Sequence, residues 1–127
     1  TAPENQNDTD EVEIKTLDEY LTQKSVKNIL LCKIDAEGVD DLVMKGMKSY
    51  IENQKVDYFI LEYEDKLSQD KISKILKKYN YKIFYMVRNK NFLVERMDDY
   101  PKNAQSLINI LALSPLANIS PVEKLLK

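Results

Sequence analysis

The sequence predicts an α/β fold with a partly parallel sheet, because two apolar strands flank a helical segment. Residues 29–34 are apolar apart from Lys33, which is the pattern of a strand covered on both faces in a parallel sheet. Residues 56–63 form a second strand, rich in aromatic and branched side chains. Between them, apolar residues recur at helical spacing from Val39 to Ile51 and predict one amphipathic helix of about four turns. A strand, a helix and a strand in this order predict a right-handed crossover between adjacent parallel strands.

The chain begins with an acidic arm, residues 1–11, which contains no apolar cluster. Residues 1–20 hold seven acids and one lysine, whereas residues 21–127 hold fourteen acids and eighteen bases. Ordering such an arm costs roughly 1 to 2 kcal/mol per residue in conformational entropy, and no apolar contact within the chain offsets that loss. We therefore expect basic residues of another polypeptide to hold the arm in place.

Two short elements are predicted between the arm and the first apolar strand. Val12 to Lys15 alternate between apolar and charged side chains, as in a half-buried strand. Thr16 and Glu19 have the spacing of a capping box, in which both side chains accept hydrogen bonds from N–H groups at the start of a helix. The helix that follows is expected to end near Gln23.

The second half of the chain predicts a helix, an antiparallel hairpin and two further helices. The first helix has an apolar stripe formed by Ile72, Ile75, Leu76 and Tyr79. Asn80 is suited to a left-handed residue that ends it. Residues 81–87 and 92–96 are the expected strands of the hairpin. A further helical stripe follows, formed by Ala104, Leu107, Ile108 and Leu111. Ser120 to Glu123 predict a short terminal helix.

Length and residue types exclude several classes of protein. A chain of 127 residues holds one domain, which we assign to residues 12–113, between the arm at 1–11 and a C-terminal tail at 114–127. The sequence has no histidine, which excludes Ser-His-Asp and Cys-His catalytic pairs and histidine-bound zinc. Its two glycines, Gly38 and Gly46, are too far apart for a glycine-rich nucleotide loop.

The single cysteine, Cys32, lies within the first apolar strand. A free cysteine in such a run is a small core residue rather than a reactive thiol. A cysteine without an internal disulfide partner is compatible with a reducing intracellular compartment, either the cytosol or an organelle matrix.

The sequence predicts neither binding to nucleic acid nor a membrane-spanning segment. The lysines between residues 66 and 82 have no exposed aromatic or arginine neighbours in the sequence, which favours a solvated helix face. No run of apolar residues approaches the roughly 20 that a bilayer span needs.

Four carboxylates follow the two apolar strands, at the point where each strand ends. Asp35 and Glu37 come after the first strand, and Glu62 and Glu64 lie at the end of the second. Because the carboxyl ends of adjacent parallel strands meet at one edge of a sheet, we expect these side chains to lie close together. Such acids can bind a hard cation, accept a hydrogen bond from a sugar hydroxyl or take up a proton.

The same residues also have structural explanations, and residue type alone favours these over a chemical role. Asp35 can cap the helix that follows it, and Glu37 can lie in the first turn, where the helix dipole stabilises a negative charge. Gly38 can have a purely structural role, which is to let the helix approach the sheet closely. The spacing of these acids does not by itself predict a metal site.

Three stretches have a distinctive order and spacing: T-L-D-E-Y-L at 16–21, K-I-D-A-E-G-V-D-D-L-V-M-K-G at 33–46 and I-L-E-Y-E at 60–64. They resemble the FkbM family of S-adenosylmethionine-dependent methyltransferases, which typically shows T-L-D-x-L, then K-I-D-x-E-G-x-E-x-x-V-L-x-G, then a short apolar strand ending in Glu. The middle motif is the specific one, and it departs from the pattern at Asp40, in place of Glu, and at Met44, in place of Leu. The resemblance covers about residues 12–96.

The resemblance implies a class I methyltransferase with a Rossmann-like sheet, acting as an O-methyltransferase on a sugar or a similar hydroxylated acceptor. It implies that Asp35 and Glu37 are catalytic, with Asp35 as the base or the orienting group. Glu62 and Glu64 would then bind the substrate, and Gly38 would lie against the S-adenosylmethionine.

In that fold the first three strands bind the methyl donor through a glycine-rich loop and an acid on the ribose, and these strands have no counterpart here. The predicted sheet is therefore the back half of the fold: two parallel strands with a crossover helix, then a helix and an antiparallel hairpin. The missing N-terminal half, or another polypeptide, is expected to cover a sheet edge, either Val12–Leu17 or Ile29–Asp35, and the chain alone is not expected to bind S-adenosylmethionine. Two functions remain open: part of an O-methyltransferase, or a degenerate methyltransferase-like structural subunit of a larger assembly.

Overall fold

The centre of the molecule is a five-stranded mixed sheet. The computed structural model describes residues 9–63, 66–103 and 108–126. Within those residues the strands, in sheet order, are β1 (Ile29–Ile34), β2 (Val56–Tyr63), β5 (Ile108–Leu113), β3 (Lys82–Met86) and β4 (Leu93–Val94). The helices are α1 (Leu17–Gln23), α2 (Asp40–Lys45), α3 (Lys48–Glu52), α4 (Lys66–Lys78) and α5 (Ser120–Glu123). A partly parallel sheet with helices between its strands confirms the predicted α/β class.

The two apolar strands are adjacent and parallel, as predicted. The register of β1 and β2 pairs Ile29 with Val56 and Ile34 with Leu61. Both strands therefore end at the same edge of the sheet, and the crossover between them runs through α2 and α3.

The crossover consists of two short helices, so the prediction of one continuous helix over Val39–Ile51 is wrong. A short turn separates α2 from α3. The Asp18 carboxylate accepts hydrogen bonds from the backbone N–H groups of Ser49 (2.9 Å) and Tyr50 (3.3 Å), in the first turn of α3. These N–H groups have no partner within their own helix. A residue far away in the sequence thus stabilises a new helix start where the apolar pattern continues without a break.

Gly46, in the turn between α2 and α3, lies against α1. A Cβ atom at this position would lie 3.6 Å from the Cβ atom of Thr16 and 3.3 Å from the carbonyl oxygen of Val43. The Gly46 carbonyl also accepts a hydrogen bond of 2.9 Å from the Asp18 N–H group. The contact with Thr16 would be an ordinary one, so the absence of a side chain mainly relieves crowding against the Val43 carbonyl at the end of α2.

The N-terminal elements match the prediction in part. The capping box of α1 is present, with the Thr16 hydroxyl and the Glu19 carboxylate each accepting a backbone hydrogen bond of 3.2 Å. The strand predicted at Val12 to Lys15 is wrong, because these residues have no regular structure. The side chains of Val12 and Ile14 are 78% and 92% exposed, so no burial stabilises an extended pairing there.

The helix predicted beyond Pro101 is wrong over the part that the structure describes. Residues 108–113 form β5, while residues 104–107 lie outside the described residues. β5 is antiparallel to both β2 and β3, and its residues Ile110 and Ala112 are fully buried. Backbone pairing on both sides, together with this burial, overrides a short helical pattern.

β1 is the outermost strand of the described sheet, and some of its side chains are exposed. The prediction of a strand covered on both faces is therefore wrong within the described residues. It pairs with β2 on one side, and no described strand pairs with its other side. Leu30 and Leu31 are 70% and 52% exposed, whereas Ile34 is buried. An unpaired side of this strand is what the resemblance predicted for a sheet that lacks its first three strands.

The main hydrophobic core lies between the sheet and the helices α2, α3 and α4. Ile72 and Leu76 of α4 belong to the same buried cluster as Phe59 and Leu61 of β2. Asn80 follows α4 with a φ of 64°, which confirms the predicted left-handed end of this helix.

A smaller core lies under the C-terminal tail. It is formed by Phe84, Leu93, Leu113 and Val122. The predicted terminal helix is present as α5, and the predicted hairpin is present as β3 and β4. β4 is only two residues long, shorter than the strand predicted at residues 92–96.

Candidate functional site

The carboxyl ends of β1, β2 and β3 lie at one edge of the sheet, together with the amino end of β5. β1 is parallel to β2, and β5 is antiparallel to both β2 and β3, so β3 runs in the same direction as the first two strands. In open α/β sheets, ligands bind beyond the carboxyl ends of the parallel strands. This edge is therefore the candidate functional site.

Three polar residues, Asp35, Glu62 and Asn109, form a row across this edge, which we call the edge row. Glu62 on β2 pairs with Asn109 on β5. The register of β1 and β2 ends at Ile34 and Leu61, so Asp35 and Glu62 are the next residues along their strands. Asp35 therefore lies just past the end of β1, while Glu62 and Asn109 lie on the neighbouring strands β2 and β5, which are about 4.8 Å apart.

The loop after β1 has a left-handed backbone that Asp40 holds in place. Glu37 and Gly38 have φ angles of 45° and 93°. The Asp40 carboxylate, only 5% exposed, accepts a hydrogen bond of 2.8 Å from the Ala36 N–H group. Asp40 thereby closes the loop that connects Asp35 to the start of α2.

Neither structural explanation considered for Asp35 and Glu37 holds. The residue at the N-cap position of α2 is Val39, so Asp35 does not cap that helix. The acids in the first turn of α2 are Asp40 and Asp41, and Glu37 lies before the helix in a turn.

Glu62 lines two cavities at this edge. The first is a narrow crevice against α4, which is also lined by Gly38, Asp40, Ser68 and Ile72. The crevice brings the loop after β1 against the end of β2, as expected for adjacent parallel strands.

The second cavity is an open cleft of about 480 Å³. It is lined by Glu62, Met86, Val87, Arg88, Asn89, Lys90 and Asn109. A volume of this size is typical of sites for small molecules. Its polar groups are hydrogen-bond acceptors from the edge row and two cations from the turn after β3.

Hydrogen bonds and burial hold the turn after β3. Asn89 has a φ of 57°, and the Lys90 N–H group donates to the Val87 carbonyl at 3.1 Å. The Arg88 N–H group donates to the Tyr100 hydroxyl at 3.0 Å. Val87 is buried in the main core. The backbone that carries the two cations is therefore closed on itself and anchored at its start, through Val87 and Arg88.

The structure brings some of the predicted site residues together and leaves others apart. Asp35 directly follows β1, Glu62 lies near the end of the adjacent strand β2, and Gly38 lies in the crevice beside Glu62. Asp35 and Glu37 are both exposed and line neither cavity. Glu64 lies outside the described residues.

Sequence reasoning misses Arg88, Lys90 and Asn109. The helical pattern beyond Pro101 hides Asn109, although a six-residue run at 108–113, apolar except for Asn109, is also the pattern of a buried strand. Arg88 and Lys90 lie in the predicted hairpin turn, but no local pattern indicates that this turn reaches the end of β2.

The lone cysteine is unsuited to nucleophilic chemistry. Cys32 is half-buried on β1 and packs against the main core. Burial raises the pKa of the Cys32 thiol, so its reactive thiolate form is disfavoured. This supports the prediction of a core residue.

Neither a metal-binding cluster nor a membrane-spanning helix occurs among the described residues. No group of three or more cysteine, aspartate or glutamate side chains there is arranged to hold a metal ion. None of the helices in that part of the chain has the length and apolar character to cross a bilayer.

The comparison with protein families identifies the family of the chain. Residues 1–83 match the model of the methyltransferase FkbM domain. The chain belongs to the FkbM methyltransferase family. The matched segment contains Asp35 and Glu62 of the edge row, and the sheet is compatible with a partial methyltransferase-like fold. No curated protein and no solved structure shows significant similarity to the chain.

Membership of the FkbM methyltransferase family supports a methyltransferase-like function. The findings do not support the alternative of a structural subunit. The family generally uses S-adenosylmethionine as its methyl donor.

The edge residues do not fit this donor. S-Adenosylmethionine carries a positively charged sulfonium, which Arg88 and Lys90 in the cleft would repel. Gly38 is the only glycine that lines either cavity, so no glycine-rich loop cradles a donor there. Among the described residues, every buried side-chain nitrogen and oxygen already has a hydrogen-bond partner. No reaction step is therefore assigned to a donor held by these residues.

Proposed function

We propose that the chain forms the acceptor-binding part of an S-adenosylmethionine-dependent O-methyltransferase that acts on a sugar or a similar hydroxylated metabolite. The observation that carries this proposal is the edge row, because Asp35 directly follows β1 and Glu62 lies near the end of the adjacent parallel strand β2, both within the segment that matches the FkbM domain. Acids at the carboxyl ends of such strands lie where this class of sheet binds its ligands.

Each residue of the edge row has a defined role in the proposal. Methyl transfer to a hydroxyl requires that the oxygen be positioned and that its proton be removed. Glu62 and Asn109 hold the acceptor hydroxyl by hydrogen bonds at the wall of the cleft. Asp35, exposed at the end of β1, accepts the proton or orients the hydroxyl. The catalytic role of Glu37 and the substrate-binding role of Glu64 remain predictions.

The donor site requires residues beyond this edge. The exposed Leu30 and Leu31 lie on β1, whose free side can accept a further strand. We place the donor-binding segment there, supplied either by an N-terminal half of the same protein or by a second polypeptide. Affinity for S-adenosylmethionine then depends on that segment.

The test is methyl transfer by the protein isolated from its source together with any polypeptide that co-purifies. It is incubated with S-adenosylmethionine bearing a labelled methyl group and a mixture of hydroxylated metabolites, and the products are identified by mass spectrometry. We expect an O-methylated product. The substitution Asp35→Asn should lower the rate by roughly 100-fold, because it removes the proton acceptor.

The matched control is Asp70→Asn, since Asp70 is an exposed acid on α4 that lines neither cavity. It should leave the rate at the wild-type level. The proposal is wrong if no labelled product forms, or if the label is transferred to nitrogen or carbon instead of a hydroxyl.

A further inference from the structure

We infer that the cleft selects an anionic acceptor, a hydroxylated small molecule that carries a carboxylate or a phosphate group. Arg88 and Lys90 bind the anionic group, while Glu62 and Asn109 hold a hydroxyl of the same molecule. This inference rests on the proposed function, because it assigns the class of acceptor for the same site.

The two cations of the cleft have no competing ion pair in the part of the chain that the structure describes. The ion pairs found there involve Lys15, Lys45 and Arg96. Arg88 and Lys90 are exposed and line the cleft. A guanidinium offers two parallel N–H groups to a carboxylate or a phosphate, and an ammonium adds a compact positive charge.

The turn that carries these cations is organised before any ligand binds. Its backbone is tied to Tyr100 through the Arg88 N–H group and to the buried Val87 through the Lys90 N–H group. An anchored turn loses less conformational freedom on binding than a free loop, so more of the ionic attraction contributes to affinity.

The charges of the lining favour an anion over a neutral sugar. The cleft contains one acid, Glu62, and two cations. A neutral sugar can use the hydrogen bonds of the edge row but gains nothing from Arg88 and Lys90. Both cations lie after residue 83, where the match to the FkbM domain ends, so they belong to the part of this chain outside the shared segment.

The test is equilibrium binding by calorimetry to the purified protein, without S-adenosylmethionine. The probes are glucuronate, glucose 6-phosphate and neutral glucose, so that the first two distinguish a carboxylate from a phosphate. We expect at least one of the anions to bind tenfold or more tightly than glucose, with an affinity that falls as salt is added. The substitution Arg88→Gln should weaken its binding by about tenfold, a loss of one charged hydrogen-bonded contact.

Two further variants keep the result interpretable. Arg88→Lys retains the charge and should give an intermediate affinity. Lys82→Gln removes an exposed lysine at the opposite end of β3 and should leave binding unchanged. Equal binding of glucose and both anions, or anion binding that is indifferent to Arg88→Gln, overturns the inference.

The binding test separates this inference from the proposed function. If anion binding depends on Arg88 but the protein transfers no methyl group, the anion site is supported and the methyltransferase function is refuted. If the protein methylates neutral and anionic acceptors at equal rates, and Arg88→Gln does not change these rates, the methyltransferase function is supported and the anion site is refuted.

Discussion

At the scale of single residues, the acids of the FkbM-like motifs divide into two groups. Asp18 and Asp40 accept hydrogen bonds from backbone N–H groups and hold, respectively, the start of α3 and the loop after β1. Asp35 and Glu62 lie at the ends of adjacent strands. The first pair shapes the candidate site, and the second pair carries the chemistry that we propose for it.

The role of Asp18 predicts a loss of stability when its carboxylate is removed. Asp18→Ala leaves two N–H groups at the start of α3 without their acceptor, which should lower the free energy of unfolding by about 1 to 2 kcal/mol. Denaturant unfolding measures this change. Asp70→Ala, an exposed acid on α4, serves as the control and should change the free energy by less than about 0.5 kcal/mol. Equal effects of the two substitutions would contradict the capping role.

Tyr81 gives the protein a pH-dependent stability in alkaline solution. Burial raises the pKa of Tyr81 to about 12, against the opposing effect of hydrogen bonds with Ser114 and the Val56 carbonyl, and the charge of Asp57 raises it further. The unfolded pKa is about 10, so the folded state holds this proton more tightly. Its contribution to stability is therefore complete below pH 10 and is lost as the pH rises from 10 to 12.

The substitution Tyr81→Phe tests this dependence. It removes the hydrogen bond of 2.7 Å from the Tyr81 hydroxyl to the Val56 carbonyl and should lower the free energy of unfolding by about 1 kcal/mol at pH 7. The difference from the wild type should shrink between pH 10 and pH 12 in urea unfolding experiments. A difference that stays constant across this range would show that the hydroxyl does not titrate as described. Tyr20→Phe, at an exposed position, is the control.

At the scale of elements, local patterns predict those parts that depend on local sequence. β1, β2 and α4 are predicted because continuous apolar runs and a helical stripe are sufficient to form them. The break between α2 and α3 depends on Asp18, and β5 depends on pairing with two strands that are distant in sequence. For the same reason Asp35 and Glu62 are predictable as site residues, whereas Asn109 is not.

The free side of β1 predicts association with a further strand. Leu31→Glu places a charge at an exposed position of β1 and should abolish that association without unfolding the chain. Size-exclusion chromatography with light scattering measures the association, and circular dichroism checks the fold. The control is Leu116→Glu, because Leu116 is 74% exposed in the C-terminal tail. Partner binding that tolerates Leu31→Glu would place the partner elsewhere.

At the scale of the whole molecule, the sheet unites two parts of the chain at one edge. Residues 1–83, which match the FkbM domain, supply Asp35 and Glu62, and the later residues supply Asn109 and the turn after β3. The acceptor side of the proposed site is thus built from both parts. The donor side requires the segment that we place beside β1.

This division predicts how the 127-residue chain behaves with the methyl donor. Calorimetric titration of the chain alone with S-adenosylmethionine should show no saturable binding in the micromolar range, since the glycine loop and the ribose acid of the fold are absent from its sequence. Micromolar affinity of the chain alone would show that it carries a complete donor site.

The most direct test of the central claim is the rate of labelled methyl transfer by Glu62→Gln, compared with the matched control Glu52→Gln at the exposed end of α3. Both proteins are isolated with their co-purifying polypeptides and assayed with the hydroxylated acceptor identified for the wild type. If the edge row binds the acceptor, Glu62→Gln lowers kcat/KM by roughly 10-fold or more while Glu52→Gln matches the wild type. Equal rates for the two variants would contradict the assignment of this edge as the acceptor site.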